Sequence, residues 1–151
     1  MDAFLGMLPE AYLDHPDGLT FKTVYEDGKP LVVIGGGPVA KRAFRGMRHA
    51  VAALAGQGNN LILDDVLLEG AGAAYAEYVD LLAAFEIFTV GIHAPLDVLE
   101  ARERRRGDRL IGLARWQYGR VHRGMTYDFD VDANAATPAE CAALIKKRFG
   151  L

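Results

Sequence analysis

The chain has 151 residues, of which 51% are hydrophobic and 25% charged, and a formal net charge of −3. That length fits one domain with a sizeable core, and the acidic balance gives no general drive toward nucleic acid. No apolar run approaches the roughly 18 residues that cross a membrane, Met1-Asp2-Ala3 does not open a signal peptide, and the single cysteine, Cys141, excludes an internal disulfide and points to a reducing cytoplasm.

In chain order, Asp2 is placed to cap a short apolar helical pattern, Phe4, Leu5, Met7 and Leu8. Asp14 to Gly18, with Pro16 between, reads as a turn. Phe21–Tyr25 and Leu31–Ile34, joined by Glu26-Asp27-Gly28-Lys29-Pro30, predict a β-hairpin. Gly35-Gly36-Gly37-Pro38 hands over to an alanine-rich amphipathic helix running to about Ala55, with Pro38 in its first turn. Leu61-Ile62-Leu63, with no polar alternation, suits a strand buried on both faces of a parallel sheet. A helix over about Ala71–Ala84 and a β-rich run, Glu86–Ile92, follow. Pro95 opens a helix to about Arg106, Gly107 breaks it, and another helix covers about Asp108–Arg120. Tyr127–Val131 is a further strand, and Thr137-Pro138-Ala139-Glu140 begins the last helix with Thr137 as cap. Strands alternating with helices predict a single α/β domain with a mostly parallel sheet and right-handed crossovers.

Asp64 and Asp65 end the predicted strand at 61–66, where α/β proteins place their chemistry. A carboxylate there suits Mg²⁺ in phosphoryl transfer, and equally a strand end with a capped turn. Gly35-Gly36-Gly37-Pro38-Val39-Ala40-Lys41-Arg42 is not a phosphate loop, which needs Gly-Lys followed by Ser or Thr. Arg102 and Arg106 share a helix face at i, i+4, and Arg109 lies just past the glycine. Guanidinium groups suit phosphate oxygens. On spacing alone a solvated face, with Glu100 and Glu103 as partners, explains them as well. His122, near Tyr127 and Asp128, admits acid–base work or a structural role, while His15 and His93 show no ligand-like neighbours and no zinc spacing occurs. Trp116 and Tyr118 read as packing.

From about Gly37 onward the chain resembles the chloramphenicol phosphotransferase family of P-loop kinases. The resemblance rests on Gly37-Pro38 at a helix start, Leu61-Ile62-Leu63-Asp64-Asp65-Val66, and Arg102-Glu103 followed by Arg106-Gly107-Asp108-Arg109. Gly112, Ala114, Gln117, Val121-His122, Tyr127-Asp128, Val131-Asp132 and Glu140-Cys141-Ala142 continue it in order. It implies a P-loop-kinase-like three-layer α/β fold and transfer of the γ-phosphoryl of ATP, with Mg²⁺, onto a hydroxyl of a small molecule. The family's namesake substrate is an antibiotic. By the same resemblance Asp2 takes the place of the general base, and Phe4, Met7 and Leu8 line an apolar acceptor pocket, a pattern that serves equally well as ordinary core. Asp64 or Asp65 helps hold Mg²⁺, and Arg102, Arg106 and Arg109 belong to an Arg-rich lid at about 100–123. Tyr127 and Asp128 support the lid or the nucleotide end of the sheet.

The family's first strand, Gly-Lys-Ser/Thr phosphate loop and second strand are missing from this sequence. The expectation is therefore an N-terminally truncated kinase, with Met1 a start assigned too far downstream, and impaired transfer. The missing strand would leave the strands at 61–66 and 86–92 with exposed apolar edges. A non-catalytic small-molecule-binding protein without nucleotide binding is the alternative. A nucleic-acid module built on the arginines ranks last, no membrane partner is expected, and a homo-oligomer stays open.

Overall fold

The structure, a computed structural model, describes the backbone of residues 2–151 and the side chains from Phe4 onward. The order is α1 (Asp2–Leu5), a 3₁₀ turn at Glu10–Tyr12, β1 (Leu19–Glu26), β2 (Lys29–Gly36), α2 (Pro38–Gly56), α3 (Ala73–Leu81), β3 (Val90–His93), α4 (Leu96–Arg106), α5 (Leu113–Tyr118), β4 (Phe129–Asp132) and α6 (Pro138–Phe149). The class is mixed α/β, as expected.

The hairpin forms with a shorter loop than the sequence suggested. Glu26 pairs with Lys29, so only Asp27 and Gly28 connect β1 to β2, both at positive φ (50° and 72°). That is the primed turn whose twist matches the flanking strands. The glycines at the exit of β2 serve chain crossing. Gly37 N–H donates to Gly18 O at 2.7 Å and Val39 N–H to Asp17 O at 2.8 Å, so the start of α2 is tied to the turn before β1.

On α2, Ala40, Met47 and Val51 are buried along one stripe. Met47 and Val51 meet Tyr78 of α3, with Phe4, Leu67 and Leu82 packed around them. Arg45 and Arg48 reach across to Glu77 and overcome the burial that would otherwise raise its carboxyl, holding it below the ordinary value.

Where a single sheet was expected, the described residues form two. β1–β2 is antiparallel, and β3–β4 is parallel, running from Val90↔Phe129 to His93↔Asp132. The segment 61–66 is not a strand: among the described residues it joins no sheet, and Leu61, Ile62 and Leu63 are exposed, Ile62 fully. An apolar run buried on both faces needs neighbours on both sides, because its backbone groups are satisfied only by pairing. β3, Val90–His93, likewise keeps only Val90–Ile92 of the predicted Glu86–Ile92 and pairs with β4 alone among the described residues. α6 docks on that sheet, where Phe149 stacks on Phe88 at 4.2 Å and meets Phe129 edge-on.

Candidate functional site

A cavity of about 870 Å³ opens at the carboxyl end of β3. His93 and Pro95 follow from that strand, and α4 supplies one face at i, i+3, i+4, i+7 spacing: Leu99, Arg102, Glu103 and Arg106. Arg109, Gln117 and His122 close the other side. α4 and α5 fold against each other across the end of the small parallel sheet.

Buried carboxylate chemistry holds that pair. Glu103 is 5% exposed, and its two oxygens accept from Gly112 N–H at 2.8 Å and Ala114 N–H at 2.7 Å, the otherwise unsatisfied donors that begin α5. Gly112 sits at φ 103°, and a Cβ there would lie 2.5 Å from Pro30 O, so the start of α5 also presses on the hairpin. Glu100 pairs with Arg115 of α5, and Arg120 lies over the Trp116 ring at 4.6 Å. The two glutamates thus bind α5 rather than the arginines of their own helix.

The three arginines differ in role. Arg102 Nη2 donates to Ala133 O at 2.7 Å, tying α4 to the exit of β4. Arg106 meets Asp108 through two contacts of 3.1 Å, which hold the Asp108 carboxyl below its ordinary value. Arg109 is exposed beside Asp108.

Asp64 and Asp65 do not line the cavity, although the next residue, Val66, does. Asp65 accepts from the Tyr78 hydroxyl at 3.0 Å, and desolvation, followed by the Asp65 charge, pushes the Tyr78 phenol upward. Asp64 is exposed. Among the described residues no three metal-ligating side chains cluster. Mg²⁺ needs only one or two carboxylates beside substrate phosphates, and Asp64 stands two residues before the cavity-lining Val66. The Asp2 side chain lies outside the described residues. Phe4 packs into the α2–α3 core, Leu8 is half-buried and Met7 is 74% exposed; none of the three lines the arginine cavity.

One cluster was only half visible in the sequence, which places His122 near Tyr127 but leaves His93 and Asp130 out. His93 is not isolated: Asp130 Oδ1 lies 2.7 Å from its Nε2, and its ring stacks on His122 at 4.1 Å. His122 Nδ1 in turn meets the Tyr127 hydroxyl at 2.6 Å. The parallel register is what assembles them. Asp130 stands opposite Gly91, two residues before His93 on the same face of β3. A Cβ on Gly91 would lie 2.4 Å from Asp130 Oδ1 and 2.6 Å from His93 Nε2, so the glycine makes room for the pair. The signal was present as Gly-Ile-His facing Phe-Asp-Val-Asp, but only a known register turns it into a contact. Asp128 instead binds Thr89 through its backbone N–H at 2.7 Å and hydroxyl at 2.8 Å, which lowers its pKa and places it at the amino end of β3, away from the cavity.

An α/β fold with a cavity outside the carboxyl ends of parallel strands is the setting in which such proteins receive ligands. The chain belongs to the family of chloramphenicol phosphotransferase-like proteins, which it matches over residues 1–150. It is 31% identical, over 150 residues, to proteins named "Putative O-phosphotransferase" in two strains of Mycobacterium tuberculosis. The match covers 94% of this chain and 64% of each relative, so the chain spans less than two thirds of their length.

Proposed function

We propose that the chain serves ATP-dependent phosphorylation of a hydroxyl group on a small, partly apolar molecule. One observation carries this reading: Arg102, Arg106 and Arg109 converge on one cavity at the end of β3 in a chain of this family. Guanidinium groups grip phosphate oxygens in a bidentate fork and offset charge that develops during transfer. Arg106 and Arg109 meet the phosphates directly, while Arg102, anchored on Ala133, sets the lid's position. Mg²⁺, when bound, neutralises phosphate charge, and Asp64 with Asp65 would hold it. Asp2 would orient or deprotonate the acceptor hydroxyl, with Met7, Leu8 and Phe4 on the acceptor side.

Transfer by these residues alone is impaired in this proposal. The N–H groups of Gly37 and Val39 are already taken by backbone carbonyls, so the glycine-rich entry to α2 offers no phosphate cradle. That observation favours a second reading, a non-catalytic small-molecule-binding protein. Calorimetry with Mg–ATP, together with ³¹P spectra of hydroxylated acceptors, separates the two. Weak nucleotide binding that falls about tenfold in Arg109→Ala, with slow appearance of a phosphate ester, is the expected result. Acceptor binding without any nucleotide binding would replace it with the second reading.

A further inference from the structure

The cavity holds two imidazoles as well as three guanidiniums, and the imidazoles are arranged as a pair. His93 and His122 stack at 4.1 Å with an interplanar angle of 34°. From β4, Asp130 faces His93 Nε2; Tyr127, just before β4, faces His122 Nδ1. A tyrosine hydroxyl both donates and accepts, so this contact survives whether His122 is neutral or charged. Tyr127 itself is kept protonated, its pKa raised by burial and then by the charges of Asp130 and Tyr75.

Around this pair the charges are largely committed. Glu103 is saturated by Gly112 and Ala114 N–H, and Asp132 Oδ1 accepts from Asn134 and Ala135 N–H at 2.8 Å and 3.2 Å. Asp108 binds Arg106. Arg102, Arg106 and Arg109 therefore outnumber Glu103 and Asp132 among the charges on the cavity wall. Charging His122 is opposed first by desolvation and then by His93, and favoured by Asp130 and a backbone group of Ile92, with a lowered pKa as the net result. An anion in the cavity would supply the counter-charge that this position needs.

We propose that His122, stacked on His93 and braced by Tyr127, is the proton-linked member of an oxyanion site: it takes up a proton when a dianionic phosphoryl group enters beside Arg106 and Arg109. The proposal rests on the phosphotransferase reading only for which anion is met in the cell. It predicts that affinity for a doubly charged tetrahedral anion rises as pH falls. The sign follows from the two states. The empty site titrates below the ordinary histidine value, the filled site titrates higher, and binding takes up a proton between the two midpoints.

Sulfate is the probe, because it stays doubly charged across the window in which histidine titrates. The imidazole signals of the chain are titrated by NMR between about pH 5 and pH 8, with and without sulfate. The His122 midpoint is expected to rise by about half a unit to one unit, giving about three- to tenfold tighter sulfate binding at the acid end. His15 and His49, outside the cavity wall, serve as internal controls and stay in place. His122→Gln is expected to remove the pH dependence of binding. A His122 midpoint unmoved by sulfate, equal sulfate affinity at both ends of the range, or no sulfate binding overturns the proposal. The wild-type titration decides this even where the variant does not fold. ATP plays no part in it, so a failure here is distinct from a failure of phosphoryl transfer.

Discussion

Glu103 shows how a residue's role changes once its neighbours are known. In sequence it is one acidic residue in an arginine-rich helix, and a surface ion pair is the economical reading. In the fold it is the one buried charged side chain among the described residues, and its partners are two backbone N–H groups nine and eleven positions downstream. Nothing in a helical period announces such contacts, because they depend on where the chain turns back at Gly112. Replacing Glu103 with Gln leaves one acceptor where two were needed and turns an amide toward backbone donors. The expected loss is about 1–3 kcal/mol in chemical denaturation, with faster amide exchange at Gly112 and Ala114. Gly91 makes a parallel case. Adding one methyl group in Gly91→Ala forces Asp130 away from His93 and should cost about 1–3 kcal/mol. Loss of the ring-current signature of the His93–His122 stack would report the displacement.

Elements differ in how much of themselves they carry locally. The start of the last helix was legible to the residue, since its signals are all within one turn. Thr137 Oγ1 accepts from Glu140 N–H, the Glu140 carboxylate accepts from Thr137 N–H at 2.8 Å, and Pro138 occupies the first position. Thr137→Ala removes the box and should lower stability by about 1 kcal/mol, read as a lower thermal midpoint. The hairpin was legible for the same reason, through Asp27-Gly28. α5 is shorter than its pattern predicted, because Gly112 adopts positive φ and the helix begins only at Leu113. The run 61–66 marks the limit of local reading. Its composition specifies a doubly buried strand, but strand formation is decided by partners elsewhere in space, and the described residues provide none. The Asp64-Asp65 pair therefore stands in a segment that joins neither sheet, with Asp65 held by the Tyr78 hydroxyl.

At the scale of the whole molecule, the accessible surface is 9999 Å², against about 7,500 Å² for a compact monomer of this mass. The excess includes large apolar side chains, with Leu61, Ile62, Leu63, Phe85, Ile87, Phe88 and Ile92 all exposed. Composition foretold a chain able to bury a sizeable core, and the folded chain buries less than it could. An environment-sensitive dye such as ANS should accordingly brighten on the native protein, without denaturant. Ile62→Lys with Leu63→Ser should dim it while shifting the unfolding free energy by no more than about 0.5 kcal/mol, since neither side chain is buried. An undiminished dye signal in that variant would place the exposed apolar surface elsewhere.

The stitching of α5 has one more consequence. Trp116 is the chain's single tryptophan, buried at the centre of α5 with the Arg120 guanidinium over its ring. Its emission therefore reports on this short helix and on its packing against α4 and β2. If α4 and α5 peel away while the hairpin and the α2–α3 pair stay folded, the fluorescence should redden and gain access to quencher before the far-ultraviolet dichroism changes. The two curves would coincide only if these two helices and the body melt as one cooperative unit.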